Sequence, residues 1–271
     1  MAKKTGKGKG KAAAKPNTKL GYKEFTVNVW VTDLNAFEFG FYKHSRNRAK
    51  SRQFSKDMDI IAEVSENGEQ TGVLSYREDA WKNNEGMDKR LVLKLFTASL
   101  NWRATMDLMV GRSLQLTHGA RGLPVSVFSV NMADYDNMVY LERSANKWWL
   151  MPEDFSFFIF GEGNRPHFYR LRRDLIAVGS DYTLYDEHDR PVGDLDGKII
   201  TLGGKWYGRV REDHADKRVM NMMKLFAGML IFNNACRRHI KQLAYDVKVG
   251  RVTPKVESQE ADLYMNPRRV R

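Results

Sequence analysis

The feature that most constrains this chain is a nearly continuous apolar segment in its C-terminal third. Between Val219 and Phe232, only Asn221, Lys224 and Gly228 interrupt the apolar side chains. At helical spacing these side chains point in every direction, which is typical of a helix in a large core or in a membrane. As a helix the segment would span only about 21 Å, less than the roughly 30 Å hydrocarbon layer of a bilayer. We therefore predict a helix enclosed by protein, with a membrane-seeking helix as the alternative.

Two residues inside this segment need an explanation if the helix is enclosed. Glycine costs about 1 kcal/mol relative to alanine within a helix, so we expect a strand backbone to approach Gly228 closely. We expect Lys224 to lay its apolar stem along the core and to place its ammonium at a barrel opening or against an acidic group. The residues predicted to form the structural core of the helix are Leu225, Phe226, Gly228, Leu230 and Phe232.

Most of the remaining sequence has the alternating apolar pattern of β-strands. Asn67-Gly68 lies between two such segments and is a strong signal for a two-residue hairpin turn. A second mostly apolar helix is predicted from Asp88 to about Val110, ending at Gly111. The predicted strands are 25–31, 37–42, 59–64, 71–76, 128–131, 148–150, 155–160, 168–172, 182–185, 192–195, 197–202 and 206–210.

The order of strands, turn, strands and apolar helix occurs twice along the chain. Asp88-Lys-Arg matches Asp216-Lys-Arg, and Lys94-Leu-Phe matches Lys224-Leu-Phe. The repeated order favours an internal duplication, and chance similarity between amphipathic segments is the alternative. We predict a mainly β (α+β) fold of curved antiparallel sheets or a barrel, in which each repeat ends in a buried apolar helix. Its parts are a disordered basic tail (1–19), a first β-plus-helix unit (20–120), a second, tubby-like β-plus-helix unit (121–248) and an irregular basic tail (249–271).

The basic charge of the chain is concentrated in three segments. The formal net charge is +12, and residues 1–19 carry seven lysines without an acidic residue. Residues 40–56 carry six basic side chains and no acidic one, and residues 237–271 carry nine basic against four acidic. This clustering favours contact with an anionic membrane or a nucleic acid; the alternative is tails that only confer solubility. The predicted anion- or lipid-binding residues are Lys3, Lys4, Lys7, Lys9, Lys11, Arg46, Arg48 and Arg52.

Residues 168–232 combine several of these patterns. Phe168 to Gly204 contains a strand ending in a basic residue, a short apolar stretch, the tyrosine-containing strand 182–185, an acidic turn from Asp186 and a strand leading to Gly197-Lys198. With the apolar helix that follows, the segment resembles the LURP-one-related and phospholipid-scramblase-like proteins, which share the tubby C-terminal barrel. The resemblance implies a barrel around one helix and a non-enzymatic, scramblase-like or scaffolding contact with anionic phospholipid. The helix predicted at 88–110 departs from this pattern, because a single tubby-like barrel offers no obvious place for it.

Two other binding functions remain open from the sequence. Basic tails also suit a nucleic-acid-associated protein. Arg48-Ala-Lys-Ser-Arg52 followed by Glu63-Val-Ser-Glu-Asn-Gly68 resembles the motif pair with which PilZ domains bind cyclic di-GMP. Paired arginines can grip phosphates bidentately, but glutamate opens the second motif here and the spacer between the motifs is short.

No combination of residues is typical of a catalytic centre, so we predict a protein that is not an enzyme and binds no cofactor. The histidines lack metal-ligand spacing, and the acidic run from Asp181 to Asp196 lacks the EF-hand order for Ca²⁺, so no metal site is predicted. Cys236 is the only cysteine, which is expected to pack in the core and suits a reducing compartment. We predict a cytoplasmic protein, peripheral on the inner membrane face, and leave a protein partner or homo-oligomer open.

Overall fold

A computed structural model describes residues 21–29, 53–55, 57–145, 152–174, 181–198 and 204–265. Within these ranges, twelve antiparallel strands form one closed barrel. Each strand pairs with the strands before and after it in the chain, and the first pairs with the last. The mainly β barrel predicted from the sequence is therefore confirmed. The strands are β1 (Tyr22–Val29), β2 (Met58–Glu66), β3 (Glu69–Arg77), β4 (Val92–Thr97), β5 (Trp102–Leu108), β6 (Val127–Met132), β7 (Tyr135–Arg143), β8 (Asp154–Phe160), β9 (Pro166–Arg173), β10 (Tyr182–Tyr185), β11 (Pro191–Lys198) and β12 (Lys205–Arg211).

Helices connect or fill this barrel. The α-helices within the described ranges are α1 (Glu78–Lys82), α2 (Val110–Gly119), α3 (Lys217–Lys248) and α4 (Ser258–Met265). The barrel closes through antiparallel pairing of β1 with β12, from Tyr22 opposite Arg211 to Asn28 opposite Lys205. The predicted hairpin is also confirmed: β2 and β3 are joined by Asn67 (φ 52°) and Gly68 (φ 82°), the left-handed pair that a type I′ turn requires.

Helix α3 is enclosed by the barrel, as predicted. All eight residues from Met222 to Met229 are buried, which requires protein on every side of the helix. The Asp216 side chain caps the helix by accepting a hydrogen bond from the Arg218 backbone N–H at 2.7 Å. The helix continues through 32 residues, about 48 Å at the usual rise, so its C-terminal half extends beyond the strands.

The predicted core residues of α3 differ in how deeply they lie. Leu225 and Phe226 are fully buried and Gly228 is buried, whereas Leu230 and Phe232 are partly buried against the core. A Cβ atom on Gly228 would lie 3.0 Å from Cδ1 of Leu74, on β3. The expected approach of a strand backbone is therefore wrong, because the neighbour of Gly228 is a leucine side chain.

Replacing Gly228 with leucine is expected to overpack the barrel against Leu74 and to lower the free energy of unfolding by about 1–3 kcal/mol. The matched control is Asn234→Leu, which adds the same side chain at an exposed position of the same helix. Thermal denaturation of both variants makes the comparison. An unchanged melting temperature for Gly228→Leu would contradict the enclosure of α3.

The helix predicted from Asp88 to Val110 is wrong, because this segment forms the β4–β5 hairpin and only then begins α2. Leu93 and Leu95 face the barrel core, while Phe96 on the outer face packs in a second apolar cluster with Phe54. Since β4 carries buried side chains on both of its faces, its sequence loses the alternation that identifies a half-exposed strand. The predicted helix at the end of the first repeat is thereby replaced by strands.

The structure also bears on the predicted units, the predicted duplication and the predicted C-terminal tail. Strands from both predicted units, 20–120 and 121–248, lie in the same barrel, and the internal duplication stays a prediction. The similar triplets at Lys94 and Lys224 lie in a strand and in a helix. Within 249–271, predicted to be irregular, α4 is helical. The predicted strands 37–42 and 148–150 and the tail 1–19 lie outside the described residues.

Candidate anion-binding site

The two ends of the barrel differ in their connections. At one end, called here the turn end, short turns join the strands in pairs, such as β2 to β3 and β6 to β7. The other end, the loop end, carries the longer connections, including α1 and α2. Helix α3 enters at the turn end, where Arg218 donates a hydrogen bond to the Phe160 carbonyl at 2.7 Å. It leaves at the loop end, where Phe232 and His239 contact Trp81.

A buried carboxylate fixes α3 where it leaves the barrel. Glu153 pairs with Arg143, accepts a hydrogen bond from the Tyr182 hydroxyl at 2.8 Å and accepts from the Asn233 amide at 3.1 Å. Burial raises the pKa of Glu153, but the charge of Arg143 and the hydrogen bonds from Arg143, Asn233 and Tyr182 outweigh it, so the pKa lies below its usual range. Glu153 is thus ionised and holds Asn233 of the helix against β7 and β10.

One turn further along α3 is a cluster of three basic side chains, Arg237, Arg238 and Lys241, called here the basic helix face. These three residues line a cavity of about 520 Å³ together with Pro124 and Asn234. No acidic side chain lines it among the described residues. Arg237 lies 4.0 Å from Glu153, a carboxylate already paired with Arg143. The cavity therefore carries a net positive charge suited to an anionic group.

The guanidinium of Arg237 has spare hydrogen-bonding capacity. Its Nε atom is buried and has no hydrogen-bond partner within the described part of the chain. Burial, followed by repulsion from Arg143, lowers the pKa of Arg237. An anion in the cavity could accept a hydrogen bond and reduce this repulsion, since planar guanidinium groups bind phosphate and carboxylate oxygens bidentately.

The basic helix face continues into an exposed stripe of α3. Asn234, Arg238, Lys241, Tyr245 and Lys248 are all exposed, and their spacing places them on one side of the helix. Tyr245 is 52% exposed. Lysine, arginine and tyrosine together are typical of a surface at the headgroup level of a membrane.

The residues predicted from the sequence to bind anions do not fall within this site. Lys3, Lys4, Lys7, Lys9, Lys11, Arg46, Arg48 and Arg52 lie outside the described residues. Only the excess charge of 237–271 pointed toward the basic helix face. The sequence contained a more specific signal for this site: Arg237, Arg238 and Lys241 fall within about one helical turn, shortly after the apolar segment. No local pattern connected Glu153 with Arg143, Tyr182 and Asn233.

The acidic run that could have suggested a metal site has structural partners. Asp186 accepts hydrogen bonds from the backbone N–H groups of His188 and Arg190, each at 2.9 Å, and so closes the β10–β11 turn. Asp194 pairs with Arg209 at 2.6 Å. Across the described ranges, no group of three or more histidine, cysteine or acidic residues is placed to hold a metal. Cys236 is fully buried, and this burial raises its pKa.

Fold and site together define a twelve-stranded antiparallel barrel around one helix, with a basic cavity where the helix emerges. Comparison with protein-family models, curated proteins and solved structures gives no significant match. Among the described residues, no helix has both the length and the apolar character needed to cross a membrane.

Proposed function

We propose that the protein is a non-enzymatic binding or scaffold protein that docks on anionic phospholipid through the basic helix face. The observation that carries this proposal is the 520 Å³ cavity lined by Arg237, Arg238 and Lys241. The buried Nε of Arg237, which has no hydrogen-bond partner among the described residues, lies beside it. A phosphate headgroup would supply the missing acceptor. The exposed Tyr245 would lie at the interface, where amphipathic rings are favoured.

The geometry favours a membrane over a nucleic acid. A duplex carries regularly spaced phosphates, and tight binding to it uses about 6–10 phosphate contacts. The basic helix face offers three cations within about one turn around a concave cavity, followed by the exposed aromatic side chain of Tyr245. That arrangement suits one headgroup and the adjoining interface better than an extended backbone.

The barrel around one helix also supports the resemblance to tubby-like, scramblase-like proteins, and we propose this relationship for the chain. In this proposal the protein is peripheral on the inner membrane face. The basic segments at 1–19 and 40–56 would add electrostatic attraction of about 1 kcal/mol per residue close to the surface.

The double variant Arg238→Gln/Lys241→Gln is expected to bind phosphatidylserine vesicles less tightly. Loss of two cations removes about 2 kcal/mol, or about thirtyfold in the partition coefficient. Both side chains are exposed, so the fold should be preserved. Co-sedimentation of the full chain at low salt, with phosphatidylcholine vesicles as the uncharged comparison, gives the measurement.

The charge-matched control is Arg165→Gln/Arg209→Gln. Arg165 is exposed at the turn end, and Arg209 lies on the barrel wall in an exposed ion pair with Asp194. We expect its vesicle binding to stay near that of the unmodified protein. Equal losses in the two double variants, or no binding to anionic vesicles, would refute the lipid proposal. Duplex DNA binding that depends on Arg238 and Lys241 and falls steeply with salt would favour the nucleic-acid alternative.

A further inference from the structure

A second cavity, of about 360 Å³, lies at the opposite end of the barrel beside the first two turns of α3. The helix contributes Lys217, Met220, Asn221 and Lys224 to its wall. These positions fall on one side of a helix. The polar residues that interrupt the apolar segment at 221 and 224 are therefore the ones that face this turn-end cavity.

Lys224 is the most deeply placed cation of the turn-end cavity. It is only 6% exposed, yet its ammonium pairs with Glu66, whose side chain is 37% exposed at the end of β2. The ammonium also lies 5.9 Å from the ring centroid of Phe25. The predicted position against an acidic group is thereby confirmed.

The charges of the turn-end cavity do not balance. Its two acidic residues, Glu66 and Asp134, are each paired with a basic one, Lys224 and Arg103. Lys23 donates a hydrogen bond to the Ala215 carbonyl at 3.3 Å and has no ion pair among the described residues. Lys217 has no ion pair within the described residues. Lys23 and Lys217 thus have no ion pair with the described acidic residues that line the cavity. After the hydrogen bond from Arg218, the charge of Lys23 also helps to lower the pKa of Asp216 nearby.

Apolar side chains also line the cavity. Val64 and Leu95 of the barrel and Met220 of the helix lie beside the cationic groups, so the cavity combines positive charge with a hydrophobic surface. Ligand sites commonly have volumes of about 300–1,000 Å³ and a few polar groups that orient the ligand. Both the volume and the wall composition of the turn-end cavity fit this description.

We propose that the turn-end cavity binds a small amphipathic carboxylate, meaning an acyl chain of medium length with an ionised head. The carboxylate lies between Lys217 and Lys23 and within reach of Asn221 and Lys224. The acyl chain packs against Val64, Leu95 and Met220. This site lies at the other end of the barrel from the basic helix face, so it is independent of the proposed docking on phospholipid.

Isothermal titration of the full chain with decanoate tests the proposal. Decanoate should bind at submillimolar concentration, below its micellar range. Decanol has the same chain without the charge, and acetate has the charge without the chain; both should bind at least about tenfold more weakly if head and chain act together.

Two variants change the charge of the cavity in opposite directions. Lys23→Gln/Lys217→Gln should weaken decanoate binding about tenfold or more, because it removes charge-assisted contacts at exposed positions. Glu66→Gln should tighten binding about threefold, because it removes a competing carboxylate close to Lys224. Arg165→Gln, exposed at the same end but outside the cavity lining, is the control and should leave the affinity unchanged.

The expected pattern is weaker binding in the lysine double variant and tighter binding in Glu66→Gln. Equal affinity for decanoate and decanol would overturn the proposal, as would unchanged affinity in the lysine double variant. Absence of decanoate binding up to about 1 mM, an affinity of only about −4 kcal/mol, would also overturn it.

Discussion

Glu153→Gln is expected to destabilise the protein by about 3–5 kcal/mol near neutral pH. The substitution keeps the size of the side chain but leaves the guanidinium of Arg143, which is 6% exposed, without its buried counterion. The amide can still accept hydrogen bonds from Tyr182 or Asn233. The loss therefore comes mainly from an uncompensated buried charge. Denaturation in guanidinium chloride gives the free energy of unfolding for both proteins.

The pH dependence of this difference has a defined sign. The pKa of Glu153 is lowered below its reference value of 4.5, so the folded state binds fewer protons than the unfolded state as pH falls. The stabilisation is complete above the unfolded-state pKa and is lost as pH decreases through the lowered folded-state pKa. We expect the gap between Glu153→Gln and the unmodified protein to close on acidification.

Two further variants separate the buried pair from ordinary charge effects. Glu142→Gln removes a carboxylate paired with Arg112 at 3.4 Å across a partly exposed surface and should cost less than about 1 kcal/mol. Arg143→Gln/Glu153→Gln removes both buried charges and should recover part of the stability lost in Glu153→Gln. If Glu142→Gln and Glu153→Gln cost the same, the buried pair does not hold the helix as described.

Phe226→Ala is expected to reduce the free energy of unfolding by about 3–5 kcal/mol. Phe226 is fully buried on α3, and its ring centroid lies 5.1 Å from those of Phe155 and Tyr182 in edge-to-face contacts. Truncation leaves a cavity between the helix and strands β8 and β10. The same denaturant measurement gives the loss.

The controls for Phe226 are a smaller truncation and an exposed one. Phe226→Leu retains most of the apolar volume and should cost less than Phe226→Ala. Ile231→Ala shortens a residue that is 36% exposed on the same helix and should lie within about 0.5 kcal/mol, as is usual at the surface. Equal losses for Phe226→Ala and Ile231→Ala would be inconsistent with a helix enclosed by strands.

Local patterns identified the features that depend on neighbouring residues. Asn67-Gly68 sets the turn between β2 and β3 through its own backbone preferences. The apolar segment from Val219 to Phe232 has apolar side chains all around the helix, which predicted that it is enclosed, and the structure buries Met222 to Met229. The barrel itself was accessible to prediction because most strands alternate between its interior and its surface.

The errors arose where distant residues determine the environment. Phe54 covers the outer face of the β4–β5 hairpin, and an apolar outer face made that hairpin resemble a helix. β7 was not predicted, and its Arg143 meets Glu153, which also accepts from Asn233, only in the folded barrel. Ion pairs of this kind join separate parts of the chain, so spacing within one segment cannot reveal them. The basic helix face, in contrast, could have been predicted from the sequence, because its three basic residues follow the apolar segment within one helix.

The pairing of β1 with β12 has a consequence for synthesis. Tyr22 has its partner, Arg211, in the last strand of the barrel. At about 5–20 residues per second, the ribosome needs about 10–40 seconds to make the intervening chain. During that time β1 has β2 on one edge and an unoccupied row of backbone hydrogen-bonding groups on the other. α3 emerges still later, so the helix that fills the barrel is made only after all twelve strands.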